Sequence, residues 1–150
     1  MRKPTIWVLI ADGQRARLFE TTGRYAPLTQ ALDQEFIGNA LPSREINADR
    51  PGRYSSRIGG ERHAMDSPTD PHRHEKREFA RQLAEEMEEY RKKNRFDQLI
   101  IVAPPQTLGD IRAEMTEALK QCVRGELNKD LTKIPVLELP EYLEEVWESV

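Results

Sequence analysis

Cysteine, long apolar runs and net positive charge are scarce or absent in this sequence, and each absence narrows the range of possible functions. The 150 residues include one cysteine, Cys122, so no disulfide can form within the chain and a reducing compartment is expected. No stretch approaches the roughly 20 apolar residues of a membrane span, and residues 6–11 are too few for a signal-peptide core. The net charge of −3 provides no general basic field for nucleic acid. We therefore expect a cytoplasmic protein with no membrane partner.

Core-forming residues are missing from one long stretch, residues 39–74, which we call the arm. It holds all three histidines and several glycines, and four prolines that disfavour regular structure. Loops longer than roughly 12–15 residues are uncommon inside compact domains and are usually functional or disordered. We predict one domain over residues 1–150, with a long mobile arm at about 39–74.

Before the arm, the sequence predicts strands. Residues 5–11 form a nearly continuous apolar and β-branched run, typical of a strand covered on both faces. Asp12-Gly13 is a hairpin signal, and residues 15–20 alternate in polarity. A third strand is expected within residues 28–37, with Phe36 and Ile37 buried. These segments predict an antiparallel meander of three strands.

After the arm, helical and strand patterns alternate. Residues 71–93 carry an apolar stripe that predicts a helix, and Asn94 is expected to end that helix. Residues 98–103 predict a second fully buried strand. Residues 107–110 resemble a capping box that opens a helix reaching Cys122, and residues 123–127 predict another strand. Pro140 suits the start of a last helix whose apolar side is formed by Tyr142, Leu143, Val146 and Trp147. The order predicts an α/β fold, a mixed sheet with helices packed on it.

Few residues indicate chemistry. A metal could use His63, His72 and His74, but a helix at Pro71 would point His72 and His74 apart by about 200°. Solvated histidines are the simpler interpretation, and we predict no metal site. Cys122 lies on an apolar stripe and is interpreted as a core residue. No nucleophile–base pair is recognisable, so neither catalysis nor a cofactor is predicted.

Two positions could receive an anion. Gly59-Gly60 would let the backbone approach a phosphate beside neighbouring arginines, although from these residues alone a flexible loop tip is the favoured interpretation. Residues 104–107 follow a central strand and could open a helix N-terminus toward an anion, where capping by Thr107 explains most of the signal. Asp12 ends the first buried strand, and a hairpin turn accounts for it.

Several stretches together resemble the bacterial host attachment protein family: residues 7–13 and 15–19, 60–65, 70–75, 79–81, 96–97, 102–105 and 128–132. That family is similar in turn to the middle domain of archaeal and eukaryotic peptide-chain release factors. The resemblance implies an RNase H-like α/β fold. It also implies a basic loop whose Gly-Gly-Gln tip reaches the peptidyl-transferase centre, followed by a helix with a Phe-Ala-Arg segment.

In this sequence Gly59-Gly60 lies in the equivalent arm, and Phe79-Ala80-Arg81 in the helix after it. Glu61 stands where the glutamine would be. An ionised carboxylate accepts hydrogen bonds but cannot donate them, and it meets RNA with the wrong sign. We therefore do not expect peptide release from this chain.

The function predicted from the sequence is a non-catalytic binding module whose basic arm contacts rRNA, tRNA or the ribosome, in translation or stress. The alternatives are a cytoplasmic regulatory protein that affects attachment to host cells indirectly, and a hydrolase that uses the histidine-rich arm. The residues predicted to bind RNA are Arg53, Arg57, Gly59, Gly60, Arg62 and Arg73.

Overall fold

A computed structural model describes residues 3–33, 35–38 and 70–148. The predictions for most of the arm lie outside these residues. They concern Arg53, Arg57, Gly59, Gly60, Arg62 and the candidate ligand His63.

The sheet is mixed, as predicted. Its described strands are β1 (Ile6–Ala11), β2 (Arg15–Thr21), β3 (Thr29–Gln30), β4 (Phe36–Ile37), β5 (Gln98–Val102) and β6 (Val123–Leu127). The order is β3-β2-β1-β5-β6, with β4 also on β2. β1 pairs antiparallel with β2 and parallel with β5, and β5 pairs parallel with β6. This sheet is compatible with the RNase H-like arrangement, which remains a prediction.

β1 lies at the centre of the sheet, and all six of its residues are fully buried. Because strand side chains alternate between faces, β1 contributes to two separate cores. Trp7 and Leu9 pack on one face and Val8 and Ile10 on the other. A strand buried on both faces is what the uninterrupted apolar run predicted.

Helices cover both faces of the sheet. α1 (Arg73–Lys92), α2 (Pro105–Glu114) and α3 (Glu117–Cys122) contribute to the core that contains Trp7. α4 (Leu139–Glu148) covers the other face, after a short 3₁₀ turn at Val136–Glu138. The stripe predicted on α1 is confirmed, because Phe79, Leu83 and Met87 are buried. Asn94, with φ of 58°, follows the end of that helix.

The antiparallel meander is confirmed, but its third strand is divided in two. Residues 28–37 form two strands of two residues, β3 and β4, which pair with opposite ends of β2. Phe36 is only partly buried, and Ile37 is 57% exposed. Both residues were expected in the core, but an edge strand this short leaves its side chains at the margin of the sheet.

The second predicted helix is also corrected, because residues 105–122 form two helices, α2 and α3. Met115 adopts an extended conformation at the break. The Thr116 side chain then accepts a hydrogen bond from the Leu119 backbone N–H at 3.0 Å and caps α3. Thr107 is not a cap. It is buried inside α2, which begins two residues earlier at Pro105.

The last helix begins at Leu139, so that Pro140 lies in its first turn, as expected. Leu139, Leu143, Val146 and Trp147 form its buried side, whereas Tyr142 is 37% exposed and does not belong to that side. Among the described residues, no helix has both the length and the apolarity that crossing a membrane would require.

Candidate functional site

The β1–β2 turn is built around the Asp12 side chain. Its Oδ1 atom accepts hydrogen bonds from the backbone N–H groups of Gln14 and Arg15, at 2.7 and 2.8 Å. Its Oδ2 atom lies 3.2 Å from the Thr132 hydroxyl. These contacts fix the turn at the carboxyl end of β1, and they account for Asp12 as a structural residue.

The chain before residue 39 is fixed to this turn. The Gly38 backbone N–H donates to the Gln14 carbonyl oxygen at 2.9 Å. A Cβ atom on Gly38 would lie only 2.0 Å from Cδ1 of Phe79 on α1, so only glycine fits between the turn and the helix. The first flank of the arm is therefore held between β2 and α1.

The chain at residue 70 is fixed near the same turn. The Asp70 carboxylate accepts from the His72 backbone N–H at 2.9 Å and forms an ion pair with Lys76. The bond from Lys76 and the bond from His72 lower the pKa of Asp70. The Lys76 side chain in turn passes Gly13, where a Cβ atom would lie 2.8 Å from Cγ of Lys76. Gly38 and Asp70, the described residues on either side of residues 39–69, are thus both linked to the β1–β2 turn.

Arg73 joins the first turn of α1 to α2. Both terminal guanidinium nitrogens donate to the two Asp110 oxygens, each at 2.6 Å, and the side chains are 24% and 14% exposed. A bidentate pair of this kind fixes direction as well as distance. The ion pair occupies the guanidinium group of Arg73, which the sequence predicted to bind RNA. RNA binding by Arg73 remains a prediction.

A polar cleft of about 310 Å³ opens next to the arm flanks. It is lined by Asp12, Gly13, Gln14, Lys76, Pro104, Gln106 and Thr107. The amide side chains can donate and accept hydrogen bonds. The lysine among the described lining residues is paired with Asp70.

The two described histidines lie at the start of α1. Nδ1 of His72 is 2.9 Å from a carboxylate oxygen of Glu75, and both His72 and His74 are exposed. Among the residues that the structure describes, no group of three or more His, Cys, Asp and Glu side chains could hold a metal ion. The third candidate ligand, His63, lies outside the described residues.

Sequence reasoning missed three residues that fix the arm. Gly38 could have been suspected because it immediately precedes residues 39–69, and Lys76 because it lies in the first turn of the helix that follows them. Asp110 gave no signal, since its partner Arg73 is 37 residues away in the chain. The arm itself stays a prediction from composition.

The sequence matches the family model described as "Protein required for attachment to host cells" over residues 7–143. The chain belongs to this family. The match covers most of the chain, and it confirms the family resemblance found in the sequence. No curated protein sequence matches the chain.

Among solved structures, the chain is similar to the crystal structure of the archaeal translation termination factor aRF1. The two are 12% identical, with a TM-score of 0.43, and the match covers 97% of this chain and 39% of the factor. Because the chain spans less than half of the factor's length, the activity of the whole factor is not attributed to it.

Proposed function

We propose that this member of the host attachment family is a non-catalytic binding module that presents its arginine-rich arm to RNA, in the ribosome or tRNA. The observation that carries the proposal is the fixation of both arm flanks, Gly38 and Asp70, beside the β1–β2 turn. The described residues on either side of residues 39–69 are therefore held beside one turn.

The charge of the arm supports RNA as the ligand. The whole arm has a formal charge of +1, and its basic part is residues 50–62, where four arginines and one glutamate give +3 in a chain whose net charge is −3. Arginine pairs with phosphate in a bidentate manner. Contacts with phosphate release counterions and dominate nonspecific affinity for nucleic acid. The proposed contacts are Arg53, Arg57 and Arg62, with Gly59 and Gly60 allowing close approach of the backbone.

Arginines in the helices are engaged within the fold. Arg81 pairs with Glu78 and Glu85, with distances of 2.6 and 2.8 Å. Arg91 pairs with Glu88 at 2.8 Å, and Arg112 with Glu126. Each of these carboxylates would have to be displaced before a phosphate could take its place. These three arginines are therefore less available to a phosphate than the exposed Arg77 of α1, which serves as a control below.

The test is the salt dependence of binding to a fluorescein-labelled 12-nucleotide uridine strand and to unmodified tRNA, followed by anisotropy. Replacing Arg53, Arg57 and Arg62 with serine should weaken binding more than about tenfold at low salt. It should also reduce the slope of log K against log salt by about 2, since each phosphate contact on a single strand contributes roughly 0.7.

The matched control removes three exposed cations outside the arm, in the triple variant Arg77→Ser, Lys93→Ser and Lys133→Ser. It should change the slope much less. Equal losses in the two triple variants would mean that net charge alone is measured. Absence of binding at low salt would refute RNA contact, and cosedimentation with ribosomes under the same salt conditions would extend the test to the assembled particle.

Membership of the family favours a second candidate, a regulatory protein that acts in the cytoplasm and affects attachment to host cells indirectly. Cells that lack the gene should attach less, and the wild-type gene should restore attachment. Restoration by the arm variant Arg53→Ser, Arg57→Ser, Arg62→Ser would separate attachment from RNA binding. Detection of the protein on the cell surface by fractionation would contradict an indirect role.

A further inference from the structure

A second concave surface lies on the other side of Gly38 from the polar cleft. It is a groove of about 540 Å³ between the β3–β4 segment and α1. Its floor is apolar and is formed by Leu32, Phe36, Ile37, Phe79, Leu83 and Tyr90. Phe79 and Leu83 also belong to the main core, at 3% and 1% exposure, so the groove rests on a rigid base.

The apolar floor is open to an incoming side chain. Ile37 is 57% exposed, and Phe36 and Tyr90 are partly buried at the edge of the core. The volume accommodates a few large side chains of an extended peptide. Burial of such apolar surface is the usual source of affinity in a groove of this type.

The rim of the groove is acidic. Asp33, Glu35 and Glu86 line it, and no lysine, arginine or histidine is among the described residues of the lining. Within the described ranges, neither Asp33 nor Glu86 forms an ion pair. Glu35 lies 4.0 Å from Nε of Arg17, whose Nη1 atom donates to the Ile134 carbonyl oxygen at 2.6 Å. The rim attracts cations and repels phosphate.

A free backbone edge runs along the same groove. β4 pairs with β2 through Phe36 and Ile37, opposite Ala16 and Arg15. In the described part of the chain, no strand pairs with the other side of β4. An unpaired edge is a template for an added strand, and its backbone bonds give affinity while alternate side chains give specificity.

We propose that this groove binds an extended segment of a partner protein by strand addition to β4. The segment carries bulky apolar residues, which enter the floor between β4 and α1, and lysine or arginine, which face Asp33, Glu35 and Glu86. Charge complementarity selects this occupant, since a nucleic acid or an acidic peptide would meet three carboxylates. The lining residues named here lie outside residues 39–74, and the groove takes a ligand of opposite charge to the one proposed for the arm.

The test uses the full chain and a fluorescein-labelled octapeptide that alternates valine with lysine. A second octapeptide alternating valine with glutamate serves as the charge control. The lysine peptide should bind at least about tenfold more tightly at low salt, and its advantage should shrink as salt rises. Amide shifts in an NMR titration should centre on Phe36, Ile37 and Glu86.

Variants assign the binding to the groove. The pair Asp33→Asn and Glu86→Gln should weaken the lysine peptide at least about fivefold, and Ile37→Ala should also weaken it. Glu114→Gln, at an exposed position on α2, is the control and should leave binding unchanged. The exposed or partly exposed positions of all four side chains allow these variants to fold, which circular dichroism would verify.

Three results would overturn the proposal. Equal affinity for the two peptides would remove the charge selection. Insensitivity to the groove variants, or shifts confined to another surface, would place the binding elsewhere. Binding at least fivefold tighter in the variant Arg53→Ser, Arg57→Ser, Arg62→Ser would show that the chain's own arginines compete for the groove and that the native occupant is not a partner segment. None of these results depends on whether RNA binds the arm.

Discussion

The two ends of α1 are held in different ways. Its first turn, next to the arm, depends on ion pairs and close backbone approaches: Arg73 with Asp110, Lys76 with Asp70, and Gly38 against Phe79. Its last turns are held by aromatic packing, with the Trp7 ring 5.2 Å from that of Tyr90 and 5.1 Å from that of Phe96. We infer that the aromatic end sets the stability of the fold, whereas the ionic end sets the position of the arm.

The largest effect is expected at the aromatic end, from Trp7→Ala. Trp7 is fully buried, and its indole N–H donates to a Glu20 oxygen at 3.0 Å. The substitution removes this bond and leaves a cavity beneath Tyr90 and Phe96, and it should lower the free energy of unfolding by about 3–5 kcal/mol. The change in the free energy of unfolding is measured by urea denaturation, with circular dichroism as the signal.

Tyr25→Ala is the matched aromatic control. Tyr25 is 86% exposed, so its loss should change the stability by no more than about 0.5 kcal/mol. Similar losses at Trp7 and Tyr25 would contradict the assignment of stability to the aromatic end.

The next effect is expected where the arm meets α1, from Gly38→Ala. The added methyl group would lie 2.0 Å from a Phe79 ring carbon, so the ring or the chain must move, at a cost of about 1–3 kcal/mol. Gly23→Ala is the control, because a Cβ atom there has no neighbour within 4 Å. Denaturation midpoints that fall equally in the two variants would show that the close contact with Phe79 is not tight.

The sequence predicted the parts of the molecule in which local pattern and burial agree. β1, β5 and the stripe on α1 could be located because their periodicities extend over five residues or more. β3 and β4 could not be resolved, since two residues carry no period and their positions depend on pairing with β2. The break at Met115 could not be predicted either, because the apolar spacing on both sides of it is that of a single continuous helix.

The same distinction between local pattern and long-range contact applies to the candidate site. Composition alone indicated the arm, because residues 39–69 lack a core pattern. The contacts that fix its flanks could not be predicted, since they join residues far apart in the sequence. Gly38 contacts Phe79 from 41 positions away. A glycine after a strand is compatible with many turns, and only the packing of α1 shows why it is needed.

A smaller and more local effect is expected from Asp110→Asn. The change weakens the bidentate pair with Arg73, and the first turn of α1 should open more often while the global stability falls less than in Gly38→Ala. Native-state hydrogen exchange should show faster exchange of the amides of Lys76 and Arg77 in particular. Uniformly faster exchange throughout α1 would contradict a separate role for this end of the helix.

The smallest effect is conditional on pH and lies at Glu88, near the aromatic end. Arg91 and the Thr116 hydroxyl hydrogen-bond to its carboxylate and lower its pKa from 4.5 to about 2, with the larger effect from Arg91. Because the folded pKa is depressed, the stabilisation is present above about pH 4.5 and is lost as the pH falls toward 2. Thr116 also caps α3, so the same carboxylate ties α1 to that cap. Glu88→Gln should therefore be less stable than the wild type at pH 7 and should approach it between pH 4.5 and 2, as measured by urea denaturation at each pH. A difference that stays constant across this range would mean that the Glu88 contacts act through packing and that charge is not involved.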